Sequence, residues 1–231
     1  MKIKHGMILA AGLGKRMNPI TLKTPKPLIK IGNKNLLEKA IELLIDHGVE
    51  EIAINVHHLA DQIKDFINQK KYKVKIIISD EQNSLLDTGG GVLQATRSFK
   101  EPFVVINPDT LWNKSYSNEL RALEDLYFKQ KKSCLLLVNK NLSFDSSFKG
   151  DFNLNANMVS RDDSNQLIFT GLQILDQSVF NSIKDKIFSM NKIWDNLIKN
   201  KSLLGIQSKQ KFYHLNTKEM YDKISNLKIT D

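Results

Sequence analysis

Cysteine is nearly missing from this chain: Cys134 is the one example in 231 residues. No intrachain disulfide can form, and a reducing cytoplasm is the expected setting. No run of about 18 apolar residues occurs, so no membrane-spanning helix is expected. The start, Met1-Lys2-Ile3-Lys4-His5, lacks the long apolar run and cleavage site of a secretory signal. Repeats, low-complexity tracts and long linkers are absent as well. So are helix-turn-helix, zinc-finger and RNP patterns, which matters because the formal net charge is +9. The lysines are spread along the chain, as in Lys70-Lys71-Tyr72-Lys73 and Lys129-Gln130-Lys131-Lys132, and read as solvated helix ends and turns. A nucleic-acid partner is therefore not expected, and attraction of anionic substrates is the better use of the excess charge.

What the chain does have is an informative beginning. Met7 to Ala11 is a short apolar run that reads as a buried strand. It leads into a turn with two glycines, Gly12 and Gly14, followed by Lys15 and Arg16. Small residues let backbone N–H groups approach a phosphate chain, and Lys15, Arg16 and Lys26 offer positive charge to the same oxygens. Two better-known phosphate motifs are excluded. A dinucleotide fingerprint needs a third glycine where Met17 stands, which argues against a nicotinamide oxidoreductase. A P-loop needs Ser or Thr after Gly-Lys, and here Arg16 follows Gly14-Lys15.

The elements alternate. Strands are expected over 6–10, 51–56, 74–79, 102–106 and 133–138, with helices over 35–47, 59–69, 88–98 and 117–130. This rhythm predicts an α/β, Rossmann-like fold with a mostly parallel sheet and helices on both faces. A small β-rich extension is expected from strands near 158–161 and 166–175. A helix, a strand near 203–206, a short piece near 212–214 and a last helix from Lys218 to Leu227 complete the expected order. With 41% apolar residues the chain supports a sizeable core, read as a single domain over 1–231. Ligands of such sheets bind beyond the carboxyl ends of the strands. The Gly12–Arg16 turn, His57-His58, Asp80-Glu81 and Asn107-Pro108-Asp109 all fall there. His57 and His58 are adjacent and are not by themselves a metal pair.

Three further motifs carry chemistry. Asp87-Thr88-Gly89-Gly90-Gly91 opens an apolar-patterned helix; the glycines either present N–H donors to a flat ligand or form an ordinary flexible N-cap. Asp109 at a strand end is either a ligand for a hard cation, which takes the rest of its shell from phosphates and water, or a turn residue. Gly150-Asp151-Phe152 and Phe169-Thr170-Gly171-Leu172 bracket a polar stretch that could be a β-rich lid.

The stretch Leu9 to Leu28 resembles the signature of the sugar-1-phosphate nucleotidyltransferases, L-A-A-G-x-G-x-R-[ML], then P-[LI]-T, then P-K-P-[LM]. Arg16-Met17, Pro19-Ile20-Thr21 and Pro25-Lys26-Pro27-Leu28 match it. The G-D-F step, the glycine triplet, Trp112 soon after Asp109 and the tail from Lys192 resemble one subgroup, the N-acetylmuramic acid-1-phosphate uridylyltransferases. The resemblance implies a nucleotide-binding half over 1–139 and a sugar-binding half with the C-terminal helix over 140–231. It implies catalytic roles for Arg16, Lys26 and Asp109. Nucleotide contacts fall to Ala11, Gly12, Gly14, Lys15, Glu81, Gly89 and Gly90, with Gln82 competing with Glu81. Sugar-phosphate contacts fall to Asn107, Gly150, Asp151, Thr170 and Gly171. A divalent ion, Mg²⁺ or the softer Mn²⁺, would rest on Asp109 and on the position of His214.

At that position the chain departs from its relatives. The family tail reads W-x-D-x-G-T, whereas this chain has Phe212, His214, Asn216 and Thr217. Imidazole is a poor Mg²⁺ ligand. Either the metal rests on Asp109, phosphates and water, or His214 takes a softer ion, or the protein is slow or catalytically silent. The partners implied are a nucleoside triphosphate and a sugar 1-phosphate, with UTP and N-acetylmuramic acid 1-phosphate favoured and a role in cell-wall recycling. Hexose, heptose or phosphocholine substrates are the alternatives. The protein is expected to be a monomer or small homo-oligomer.

Overall fold

The computed structural model describes residues 2–227; Met1 and residues 228–231 of the expected domain lie outside the described residues. In chain order the main elements are β1 (His5–Leu9), a small hairpin of β2 (Lys30–Ile31) and β3 (Lys34–Asn35), α1 (Leu36–His47), β4 (Glu51–Val56), α2 (Ala60–Lys70), β5 (Lys75–Asp80), α3 (Asp87–Ala95) and β6 (Phe103–Ile106). They continue with α4 (Ser117–Gln130), β7 (Ser133–Asn139), β8 (Asn153–Asn155), β9 (Met158–Ser160), β10 (Leu167–Leu175), α5 (Met190–Lys199), β11 (Leu203–Ser208) and α6 (Lys218–Ser225).

Nine strands form one sheet in the order β5-β4-β1-β6-β10-β7-β11-β9-β8. The pairs β5–β4, β4–β1, β1–β6 and β7–β11 are parallel. The expected β-rich extension is built into this sheet rather than beside it. β10 inserts antiparallel between β6 and β7, and the β8–β9 hairpin extends the far edge through β11.

Side chains alternate between two cores, as a sheet covered on both faces requires. Ile8, Val104 and Ile106 join Leu37, Ile41, Ile63, Leu120 and Tyr127 from α1, α2 and α4. Met7, Phe103 and Val105 join Val92, Ile193 and Trp194 from α3 and α5. Local chemistry sets the helix ends. Asn35 Oδ1 accepts from Glu38 N–H at 2.7 Å to start α1, and Gly48 caps its end. α3 stops at Ala95, three residues short of the expected 98. Thr96 Oγ1 donates back to Val92 C=O at 2.7 Å, and the chain then turns through Phe99 N–H onto Thr96 C=O.

The strand order turns back between β1 and β6, with β4 and β5 on one side and β10 on the other. Such a switch point opens a crevice at the carboxyl ends of its two strands. The segments leaving those ends are the loop from Ala10 and the segment from Asn107.

Candidate active site

The loop after β1 is shaped by its own residues. Gly14 lies at φ +62°, and a Cβ there would come within 2.8 Å of Thr21 Cγ2. Only glycine lets Thr21 pack so closely while its hydroxyl reaches Gly14 C=O at 3.0 Å. His58 then bonds Thr21 C=O through Nε2 at 2.7 Å. The Pro19-Ile20-Thr21 motif is thus a clamp on the glycine turn, and His58 belongs to that clamp rather than to a metal site.

Above the loop is a cavity of about 430 Å³, within the range of small-molecule sites. Ala11, Gly12, Gly14, Lys15, Arg16, Lys26, Glu81, Asn107 and Asp109 all line it. The three expected phosphate cations and the expected metal carboxylate therefore share one hollow. Lys26 Nζ meets Asp109 Oδ2 at 2.6 Å, with side chains only 14% and 23% exposed. His214 Nε2 meets the same oxygen at 3.1 Å. Burial raises the Asp109 carboxyl, but Lys26 and His214 outweigh it and hold the group far below the usual carboxylate range. Asp109 is an anion at neutral pH.

His214 is placed by backbone. Leu111 N–H donates to Tyr213 C=O at 2.9 Å and Leu215 N–H to Asp109 C=O at 2.8 Å, which fastens 213–215 alongside 109–111. The imidazole stacks on Phe212 at 16° between planes. Its Nδ1 is buried without a partner. Asn216, standing where relatives carry glycine, lines the cavity and donates to Asp145 Oδ2 at 2.8 Å. Among the described residues no group of three or more His, Cys, Asp or Glu converges on one point. One carboxylate suits a hard cation that draws most of its shell from phosphate and water, so the donor set fits Mg²⁺ on Asp109.

A second cavity of about 220 Å³ adjoins the first, sharing Asn107 and Asp109 with it. Asp151, Thr170, Gly171 and His214 line it. β10 slips register between Phe169 and Gln173, and inside this bulge Gly171 lies at φ +93°. A Cβ there would meet Asn107 Cβ at 2.8 Å, whereas Gly171 C=O accepts from Asn107 N–H at 2.7 Å. The bulge thus brings β10 against the end of β6. Thr170 Oγ1 is committed to Leu136 C=O at 2.9 Å, and Asp151 Oδ2 accepts from Phe169 N–H at 2.9 Å. Trp112 donates its indole N–H to Asn107 C=O at 2.7 Å, and Asn107 Oδ1 is a buried acceptor beside both cavities with no hydrogen-bond partner among the described residues.

Three expected residues meet a different geometry. Gly89 and Gly90 line neither cavity; both N–H groups donate to Phe188 C=O, at 2.9 and 3.1 Å. A Cβ on Gly90 would lie 2.4 Å from Lys186 C=O, so Gly89 and Gly90 make room for residues 186–188, while Gly91 makes room for Asn55 and Glu81. Their neighbours Asp87 and Thr88 face the cavity instead. Gly90→Ala is expected to destabilise the fold by about 1–3 kcal/mol, read as a lower unfolding midpoint, because backbone must move. Gly150 also lines neither cavity and lies against Asn165 C=O.

Glu81 lines the nucleotide-sized cavity but is only 2% exposed. Its Oε1 accepts from Asn55 Nδ2 at 2.7 Å and its Oε2 from Leu86 N–H at 3.0 Å. Asn55 Oδ1 in turn accepts from Ala10 N–H at 2.8 Å. Glu81 and Asn55 therefore brace the cavity wall between β1 and the 82–86 loop. Gln82 is exposed and outside the wall. Asn55 carries one mark in the sequence, an amide within the stretch of β4 that is apolar after Glu51.

Comparison with known proteins bears on the whole arrangement. Residues 5–142 match the nucleotidyl transferase family. An N-acetylmuramate α-1-phosphate uridylyltransferase of Caulobacter vibrioides is 29% identical, covering 92% of this chain and 91% of the relative. The protein of the same description from Neisseria meningitidis serogroup B is 33% identical over 77% of this chain and 78% of the relative. A solved UDP-glucose pyrophosphorylase complexed with UDP-glucose has a TM-score of 0.79 at 23% identity, covering 97% of both chains. The inositol-1-phosphate CTP transferase of T. maritima has a TM-score of 0.77 at 16% identity, covering 100% of this chain and 99% of that one; both share the fold. With a matched segment that runs from β1 past the Lys26–Asp109 pair, and a relative one-third identical along three-quarters of the chain, this protein belongs to the nucleotidyl transferase family.

Proposed function

We propose that the protein transfers a uridylyl group from UTP to N-acetylmuramate α-1-phosphate and releases pyrophosphate. The observation that carries this reading is the junction of the two cavities. The larger, cation-lined one suits a triphosphate, and the smaller one suits a sugar. Asp109 with its Lys26 contact stands where they meet. The two uridylyltransferase relatives that span most of the chain support the choice of substrates. On this reading residues 1–139 hold the nucleotide, and 140–231 supply the sugar side.

The nucleophile is a phosphate oxygen already ionised at neutral pH, so no general base is needed. What the residues must do is bring two anions together and offset their charge as the α-phosphorus is attacked. Lys26 serves the attacking and α-phosphate oxygens, and Lys15 and Arg16 serve the departing pyrophosphate. Backbone N–H groups of the Ala11–Gly14 turn support the phosphate chain. A divalent ion held by Asp109 would supply further positive charge to both anions when bound. His214 keeps Asp109 oriented through Nε2.

The reading is tested by pyrophosphate release from a panel of nucleoside triphosphates and sugar 1-phosphates with Mg²⁺ or Mn²⁺. The pair of UTP with N-acetylmuramate 1-phosphate is expected to give the highest kcat/KM. Higher turnover of another pair would replace the substrate assignment. His214→Asp is expected to lower the Mg²⁺ concentration for half-maximal rate by about tenfold, since a second carboxylate joins the site. An unchanged metal titration would show that position 214 does not bear on the ion.

A further inference from the structure

The cavity that takes the sugar on this reading carries a cationic side chain that the transfer chemistry does not use. Among its described lining residues Arg161 is the one Lys or Arg side chain. It lines this cavity and not the larger one. Its guanidinium is fixed in place. Its Cζ lies 4.5 Å from the centroid of the fully buried Phe152 ring. Nε donates to Asp151 C=O at 3.2 Å, Nη1 to Asp195 Oδ1 at 2.8 Å and Nη2 to Asn191 Oδ1 at 2.9 Å. Three of the five guanidinium N–H groups are thereby used, and each Nη keeps one.

The carboxylate paired with Arg161 lies outside the cavity lining. Asp195 is 60% exposed and does not line the cavity, so water screens its pairing with Arg161. Asp109 is committed to Lys26 and His214. Asp151 is held by Phe169 N–H. Phe148, Phe169 and Trp194 supply the apolar remainder of the wall. A ligand here meets aromatic surface along its body and a held guanidinium with one remaining N–H on each Nη. These two donors match a carboxylate.

We propose that Arg161 is the specificity residue that recognises an anionic substituent, a carboxylate, on the sugar ring of the acceptor. This inference rests on the transfer reaction proposed above. It is tested by steady-state kinetics of the full chain with UTP and Mg²⁺ against two acceptors. One is N-acetylmuramate 1-phosphate. The other is N-acetylglucosamine 1-phosphate, which has the same ring without the carboxylate. Arg161→Gln is expected to lower kcat/KM for the acidic sugar by roughly 10- to 100-fold, mostly through KM. The neutral sugar should stay within about twofold, and Arg161→Lys should recover part of the loss. Equal losses on both acceptors would make Arg161 a structural residue and overturn this inference alone, whereas a wild-type preference for the neutral sugar would overturn it together with the substrate assignment. Absence of turnover with every sugar phosphate would instead fell the proposed reaction, and this inference with it.

Discussion

Lys26→Ala is expected to lower kcat by roughly 10²–10³-fold while the fold survives, the cost of removing one preorganised group aimed at developing charge. The side chain is mostly buried, and its ammonium reaches the junction of both cavities 2.6 Å from Asp109 Oδ2. The two prolines around it, in Pro25-Lys26-Pro27, form a short 3₁₀ turn closed by Leu28 N–H on Pro25 C=O. This turn presents Lys26 without flexibility in its backbone, so a shorter side chain has no neighbour to replace it. The variant leaves Asp109 with His214 as its remaining partner. A loss of about 1–3 kcal/mol in stability accompanies that change. Circular dichroism and a melting curve separate the two effects. Wild-type kcat in a folded Lys26→Ala protein would remove Lys26 from the mechanism.

Asp109→Asn should have a comparable effect by a different route. The substitution preserves shape and one acceptor oxygen for Lys26 but removes the negative charge. Lys26 and the nucleotide cations Lys15 and Arg16 would then face the cavity without that counter-charge. The carboxylate that fits a hard cation would also be gone. A decrease in kcat/KM of at least about 10²-fold is expected, not recovered by raising Mg²⁺. Recovery at high Mg²⁺ would mean that Asp109 sets affinity for the ion and nothing more. Full activity at ordinary Mg²⁺ would mean that the carboxylate is a structural partner of Lys26.

Much of this was legible in the sequence, for reasons that are local. The run Met7 to Ala11, the Gly12–Arg16 turn and the alternation that follows encode a strand, a phosphate-sized bend and a doubly covered sheet through neighbouring residues. The gathering of Arg16 and Asp109 follows from strand ends meeting at one sheet edge, whereas Lys26 reaches them from the 3₁₀ turn Lys26–Leu28. What was not legible depends on partners distant in sequence. Nothing in Leu167–Leu175 itself states that it pairs antiparallel between β6 and β7. Its apolar composition marks a buried strand, but its neighbours are decided by which edges are left free. The glycine triplet announces close approach without saying to what; for Gly89 the answer, Phe188, lies about a hundred residues away, and for Gly91 it is Asn55 and Glu81. Glu81 likewise reads as an available carboxylate until Asn55 and Leu86 are seen to occupy it. His214 was recognisable as a departure from its relatives, but its contact with Asp109 came from the clamp between 109–111 and 213–215.

The central claim is that an acceptor's phosphate oxygen attacks the α-phosphorus of a nucleoside triphosphate at the Lys26–Asp109 junction. It is tested most directly with N-acetylmuramate 1-phosphate carrying ¹⁸O in its phosphate, incubated with UTP and Mg²⁺ and followed by mass spectrometry of both products. All of the label is expected in the nucleotide sugar and none in the pyrophosphate. Label in the pyrophosphate, or UTP breakdown to unlabelled products without any nucleotide sugar, would contradict it.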